Sequence, residues 1–170
     1  MKRVFISVIA IILLVACTSN RDKALNEIKE YESSIDIQNT KVVLEVGENL
    51  IRLYTQFAKD FPADSLAPMY LMKSADVAAN INRSDLSIKY LDMVISQYPN
   101  YSKLPECYFF KGFVYETVIG DTEKAKEVYS AFLDKYPSHP MASNAKMIIE
   151  NLSLSEEDLL NMIISKNKDN

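Results

Sequence analysis

The sequence predicts an all-α fold built as helix pairs in tandem. An apolar-aromatic ending followed by proline occurs three times. The copies are Tyr54-x2-Phe57-x3-Phe61-Pro62, Leu91-x2-Val94-x3-Tyr98-Pro99 and Tyr129-x2-Phe132-x3-Tyr136-Pro137, and they fall 37 and 38 residues apart. The other three prolines answer them: Pro68 and Pro105 each follow by six residues, and Pro140 follows by three. Proline interrupts a helix interior but suits a first turn, so one member of each pair closes a helix and the next opens another. Apolar residues recur at helical spacing, and no segment sustains the alternation of a half-buried strand.

The N-terminus reads as an address. Lys2-Arg3 precedes an apolar run of 13 residues from Val4 to Ala16, too short for a permanent span, and the run ends in Leu14-Val15-Ala16-Cys17. That tetrapeptide resembles the lipobox of bacterial lipoproteins. The resemblance implies a signal peptide over residues 1–16, cleavage before Cys17, and lipid on Cys17 as the new N-terminus. The thioether-linked diacylglycerol and amide-linked acyl chain that the resemblance implies exceed what stable membrane anchoring requires. The plainer alternative is an ordinary signal peptide with an incidental cysteine. Residues 17–22 then form a lipidated N-terminus and polar tether, 23–166 the helical domain, and 167–170 a tail expected to fray.

Within the domain, a first helix is expected from about Asp22 to Ser34, with Leu25, Ile28 and Tyr31 on one face. Ile35 to Thr40 interrupts it. A longer helix follows to Phe61, carrying Val42, Val43, Val46, Leu50, Leu53, Tyr54 and Phe57. The next pair runs from Ala67-Pro68 to about Ile81 and from Leu86 to Tyr98, turning at Asn82-Arg83-Ser84 with Ser84 as N-cap. A third pair occupies Leu104-Ile119 and Asp121-Lys135, and a seventh helix follows Pro140 to about Leu152. Ser155-x2-Asp158 then caps a short amphipathic helix through Leu159, Leu160, Ile163 and Ile164, suited to cover the open end of the stack.

The third pair carries the most detailed pattern: Tyr108-x2-Lys111-Gly112-x2-Tyr115, Gly120-Asp121, Ala125-x3-Tyr129 and Tyr136-Pro137. These landmarks resemble the tetratricopeptide repeat (TPR), with Tyr for Trp, Lys for Leu and Tyr for Phe. Gly112 and Ala125 are small where paired helices approach, Tyr115 and Tyr129 fill the space beside them, and Gly120 can end a helix at positive φ. Gly112 to Ala125 is one residue longer than the family spacing, which predicts a bulged or lengthened turn near Val118-Ile119. The middle pair places Ala75 where Gly112 stands and Ala78 where Tyr115 stands; the first pair reads as a degenerate cap. The resemblance implies a TPR-type helix-hairpin solenoid of about three repeats plus C-terminal capping helices.

Composition narrows the function. Loss of Lys2 and Arg3 leaves 17 basic against 23 acidic residues, a net charge of -6 with no basic cluster, which disfavours nucleic-acid binding. Cys107 is the only cysteine besides Cys17; among Tyr108, Phe109 and Phe110 it reads as a small buried hydrophobe rather than a redox thiol. His139 is the sole histidine and belongs to a turn before the seventh helix, so histidine dyads and His/Cys metal cages lack members. Three glycines (Gly47, Gly112, Gly120) do not make a phosphate loop, and Glu156-Glu157 reads as first-turn acids favouring the helix dipole rather than an acid-base pair. A non-enzyme with no catalytic residues, metal or cofactor is expected.

Helix-pair solenoids present a concave surface built mainly from the first helix of each pair. Its expected residues are Met69, Met72, Asp76 and Asn80, then Glu106, Phe109, Phe113 and Glu116-Thr117, then Met141, Asn144 and Ile148. Methionine and phenylalanine among carboxylates suit an adaptable peptide groove, though the same residues could pack against neighbouring helices. A lipobox followed by repeats ending in Tyr-Pro or Phe-Pro resembles the BamD-like lipoproteins of outer-membrane-protein assembly. It is also similar to the periplasmic TPR domain of the Tol-Pal-associated cell-division coordinator. The resemblance covers about residues 41–152 and implies a lipid-anchored scaffold for envelope proteins or extended peptides. Thr18 in place of Asp, and no acidic run after it, match an outer-membrane, periplasm-facing location, with the cell surface as the alternative. A glycan-binding accessory lipoprotein is the second reading; it lacks the expected tryptophan platforms and long loops.

Overall fold

The computed structural model describes residues 20–35 and 43–154, together with Asp158 and Ile164. Among these residues there is no strand, and no helix is long and apolar enough to cross a membrane. The elements are α1 (20–34), α2 (Val43–Asp60), α3 (Ala67–Asn80), α4 (Ser84–Gln97), α5 (Leu104–Phe113), a π-helical continuation (Val114–Ile119), α6 (Thr122–Lys135) and α7 (Ala142–Leu152). The expected signal segment and Cys17 lie outside the described residues. So does the closing helix from Ser155, apart from Asp158 and Ile164, both helical.

Two compact units divide the chain at Leu86/Ser87. In the first, Ile28 of α1, Leu53, Tyr54 and Phe57 of α2, and Tyr70 of α3 form a buried core. Tyr54 stacks on Tyr70 at 5.3 Å, and Phe57 tilts against Tyr70 at 4.9 Å and Phe61 at 5.1 Å. Leu25 and Tyr31 pack against this core beside Ile28, as the spacing of α1 predicts. The loop after α2 is organised by Asp64, which accepts a hydrogen bond from the Leu66 amide at 2.8 Å and an ion pair from Arg21. Pro68 stands in the first turn of α3, and buried Ser74 donates to the Tyr70 carbonyl at 2.9 Å.

At the far end of α3, Asn82 takes φ 59° and the Arg83 amide donates to the Ala78 carbonyl at 2.7 Å. α4 begins at Ser84 itself, so the expected N-cap residue is already helical. Gly47 of α2 is a close-approach point that the sequence pattern does not single out. A Cβ there would stand 2.7 Å from Ile81 Cγ2 and 3.3 Å from Val77 Cγ1.

The second unit is centred on Ala125, Tyr129 and Phe132 of α6 and Ala142 and Ala145 of α7, all buried. Tyr108, Phe109 and Tyr115 pack against this core from α5 and its continuation, and Ile148, Ile149 and Leu152 from α7. Gly120 ends the π-helical stretch at φ 78°, the left-handed region that glycine enters without a Cβ penalty. The Gly120 and Asp121 amides both donate to the Tyr115 carbonyl, and the Asp121 carboxylate caps α6 by accepting from the Lys124 amide at 3.0 Å. The extra residue between Gly112 and Ala125 is thus absorbed inside the helix, across Val114–Ile119, rather than by a longer turn. A π-helix takes more residues per turn than an α-helix, so one insertion is taken up without moving the glycine that ends the segment.

Candidate partner-binding surface

The α5–α6 interface decides which α5 side chains remain available. Gly112 is buried, and a Cβ there would meet the Tyr129 ring at 2.8–2.9 Å, so the α6 aromatic lies directly on the α5 backbone. Around that contact, residues within about 60° of Gly112 on the helix wheel face α6. Tyr108 meets Tyr136 edge-on at 5.8 Å, and Phe109 meets Tyr129 at 5.2 Å and Phe132 at 5.7 Å. Glu116 accepts a hydrogen bond from the Tyr129 hydroxyl at 2.8 Å. Burial, and then that bond, raises the Tyr129 phenol above its ordinary pKa.

Phe109 and Glu116, expected on the concave face, are therefore engaged with α6. Phe113 lies outside this arc, 43% exposed, with its ring stacked on Phe110 at 6.2 Å and 25°. Phe110, not selected from the sequence, is half-buried and forms an aromatic pair with Phe113. Glu106 is half-buried at the start of α5, and its Oε2 is buried without a hydrogen-bond partner. On α3, Met69 packs against the first unit's core, Met72 is half-buried, and Asp76 and Asn80 are exposed. Asn80 turns back to donate to the Asp76 carbonyl at 3.0 Å. On α7, Met141 and Ile148 pack on the second unit's core while Asn144 is exposed. Each predicted stripe is divided between packing and solvent, and on α5 the free aromatic surface is Phe110–Phe113.

The first unit repeats the tyrosine–carboxylate arrangement. Tyr54, which holds the same place in its helix ending as Tyr129, donates its hydroxyl to Glu32 Oε1 at 2.7 Å. Lys73 donates to the same oxygen at 2.7 Å, with its ammonium 5.3 Å from the centroid of the Tyr54 ring. Burial pushes the Glu32 carboxyl up, but the bonds from Lys73 and Tyr54 outweigh it and hold the group below the usual carboxylate range. Glu32 thereby ties α1 to both α2 and α3. Sequence inspection misses it because the partners lie 22 and 41 residues away; the only signal is a Tyr at the same place in two helix endings.

Cys107 and His139 sit as packing elements. Cys107 is fully buried, and burial pushes its thiol up to about 12, far from the thiolate that redox or nucleophilic work needs. His139 lies edge-on to Phe132 at 5.7 Å, and its Nδ1 accepts from the Met141 amide at 3.3 Å in the turn before α7. Among the described residues, no group of three His, Cys, Asp or Glu side chains is placed to hold a metal ion.

No curated protein matches the sequence. Two consecutive segments, residues 70–101 and 106–139, match the tetratricopeptide repeat family. Together with the helix order, these matches make the fold an all-α TPR-type helix-hairpin solenoid, an architecture characteristic of non-catalytic protein-interaction scaffolds.

Proposed function

We propose that the mature protein is a lipid-anchored envelope scaffold that binds protein partners or extended peptide segments, in outer-membrane protein assembly or in the coordination of envelope growth with cell division. The observation that carries the binding part is the stacked Phe110–Phe113 pair on the first helix of the repeat at residues 106–139, with Phe113 open to solvent. An exposed aromatic on a rigid helix gives a partner large apolar contact at little entropic cost. Within the first unit, α3 separately offers half-buried Met72, an adaptable apolar group, and the exposed carboxylate of Asp76. The anchor rests on Leu14-Val15-Ala16-Cys17, and the proposed location is the periplasmic face of the outer membrane.

Three experiments test the reading. A photo-crosslinking amino acid at position 113 should trap discrete envelope proteins in living cells, and the same probe at exposed Glu127 of α6 should not. Equal trapping at both positions counts against an aromatic docking surface. For the anchor, Cys17→Ser should abolish acyl labelling and leave unprocessed precursor; persistent labelling rules out the lipoprotein reading. Removal of the domain by protease on intact cells would move it to the cell surface.

A further inference from the structure

The way α1 begins gives the anchored protein an orientation. α1 is helical from residue 20, two residues earlier than the sequence predicts, and only Thr18 and Ser19 separate it from Cys17. Three Cα–Cα steps span at most about 10 Å even when fully extended. The helix start is also tied down. Arg21 Nε and Nη2 engage the two carboxylate oxygens of Asp64, in the loop between α2 and α3, and Ile28 two turns later is buried in the core. The Arg21 bond holds the Asp64 carboxyl below its usual range, so the pair stays ionised at neutral pH.

We infer that the edge formed by the start of α1 and the Phe61–Leu66 loop rests on the phospholipid headgroups beside the anchor, with the Asn82 turn directed away from them. This rests on the Cys17 anchor of the proposed function and adds which surface of the domain lipid occupies. The edge suits that partner. Pro62, Ala63 and Ser65 are small and exposed, so headgroups can approach closely, and the exposed Lys23 and Lys59, which can meet lipid phosphates, are balanced in charge by the exposed Asp22 and Asp60 beside them in sequence. The opposite end of the unit is set by the length of α3, 14 residues or about 21 Å, and by the Arg83–Glu48 pair at 2.7 Å. A flexible lipoprotein tether would leave both ends equally free; one this short, entering a pinned helix, does not.

Site-specific quenching tests the orientation. Ala63→Cys and Asn82→Cys are introduced singly into the full-length acylated protein, labelled with a fluorophore, and bound to phosphatidylethanolamine/phosphatidylglycerol vesicles carrying a nitroxide headgroup lipid. Cys107 is fully buried and does not compete for label. The label at 63 should be quenched several-fold more than the label at 82. Equal quenching, or stronger quenching at 82, in acylated and vesicle-bound protein overturns the orientation while leaving the anchor intact. An insert of about twelve Gly/Ser residues after Ser19 adds about 20 Å of mean reach and should collapse the difference. Retained preference for position 63 in that variant overturns the short tether as its cause. A mature chain whose mass shows no acyl groups overturns the anchor and the orientation together.

Discussion

Gly112 lies against the face of the Tyr129 ring, so near that the smallest added side-chain atom would overlap ring carbons at 2.8–2.9 Å. Tyr129 is fully buried and its hydroxyl is bonded to Glu116, so the ring has no free direction in which to yield. Gly112→Leu is therefore expected to destabilise by about 1–3 kcal/mol or more through overpacking. Gly112→Ala gains up to about 1 kcal/mol of helix propensity, which offsets part of the clash. Glu127→Ala on the exposed face of α6 should stay within about 0.5 kcal/mol of wild type. Chemical denaturation of the three variants checks the order; equal midpoints would contradict the interface.

The α5 aromatics should separate by role. Phe109→Ala removes a ring packed against Tyr129 and Phe132 and should cost about 3–5 kcal/mol, read as early melting. Phe113→Ala removes a ring 43% exposed and should keep near-native helicity and melting temperature while losing crosslinked partners. Early melting of Phe113→Ala with unchanged partner capture would assign that ring to packing alone.

Removing one hydroxyl probes the tyrosine–carboxylate pair. Tyr129→Phe keeps the ring on Gly112 and deletes only the bond to Glu116, for an expected loss of about 1 kcal/mol. Tyr54→Phe leaves Glu32 its bond from Lys73 and should cost less. A larger loss at Tyr54 than at Tyr129 would show that Lys73 does not substitute for the hydroxyl.

Acid should weaken the protein through Glu32 and Asp64. Both carboxyls are held low in the folded chain, Glu32 by Lys73 and Tyr54 against burial, and Asp64 first by Arg21. A depressed folded pKa contributes stability that is present above the unfolded value, about 4, and is lost as pH falls through the folded one. Melting temperature should hold from neutrality to about pH 5 and fall below that. Glu32→Gln and Asp64→Asn should each lower it at neutral pH and flatten the acid decline. An unchanged decline in both variants would mean other groups set the acid limit.

The features legible in the sequence are those imposed by local geometry. The Tyr-Pro and Phe-Pro endings, proline at a helix start, Gly120 at positive φ, and Gly112 with Ala125 at the helix contact all follow from what single residues permit. The division of α5 between packing and solvent was less legible. Phe109 and Phe113, four residues apart, look like one face, but measured from Gly112 they sit at about 60° and 100°, and the edge of the interface passes between them. An inserted residue can be taken up in a loop or inside a helix; only the backbone shows that Val114–Ile119 widens. Gly47 and Glu32 were silent because their partners come from other helices, with no local spacing to announce them.

The tyrosine–carboxylate pairs also make the protein its own optical indicator. The chain has ten tyrosines and no tryptophan, so its near-ultraviolet signal comes mainly from phenols. Tyr54 and Tyr129 are kept protonated first by burial and then by bonds to Glu32 and Glu116, while burial alone, or chiefly, raises Tyr70, Tyr98, Tyr101 and Tyr136. A phenol in the unfolded chain ionises at about 10, whereas Tyr54 and Tyr129 give up their protons only as the chain opens. Stability carried by a raised phenol is complete below that value and is lost as pH climbs toward the folded one. Phenolate absorbance from Tyr54 and Tyr129 should therefore rise abruptly, marking alkaline unfolding without any added dye.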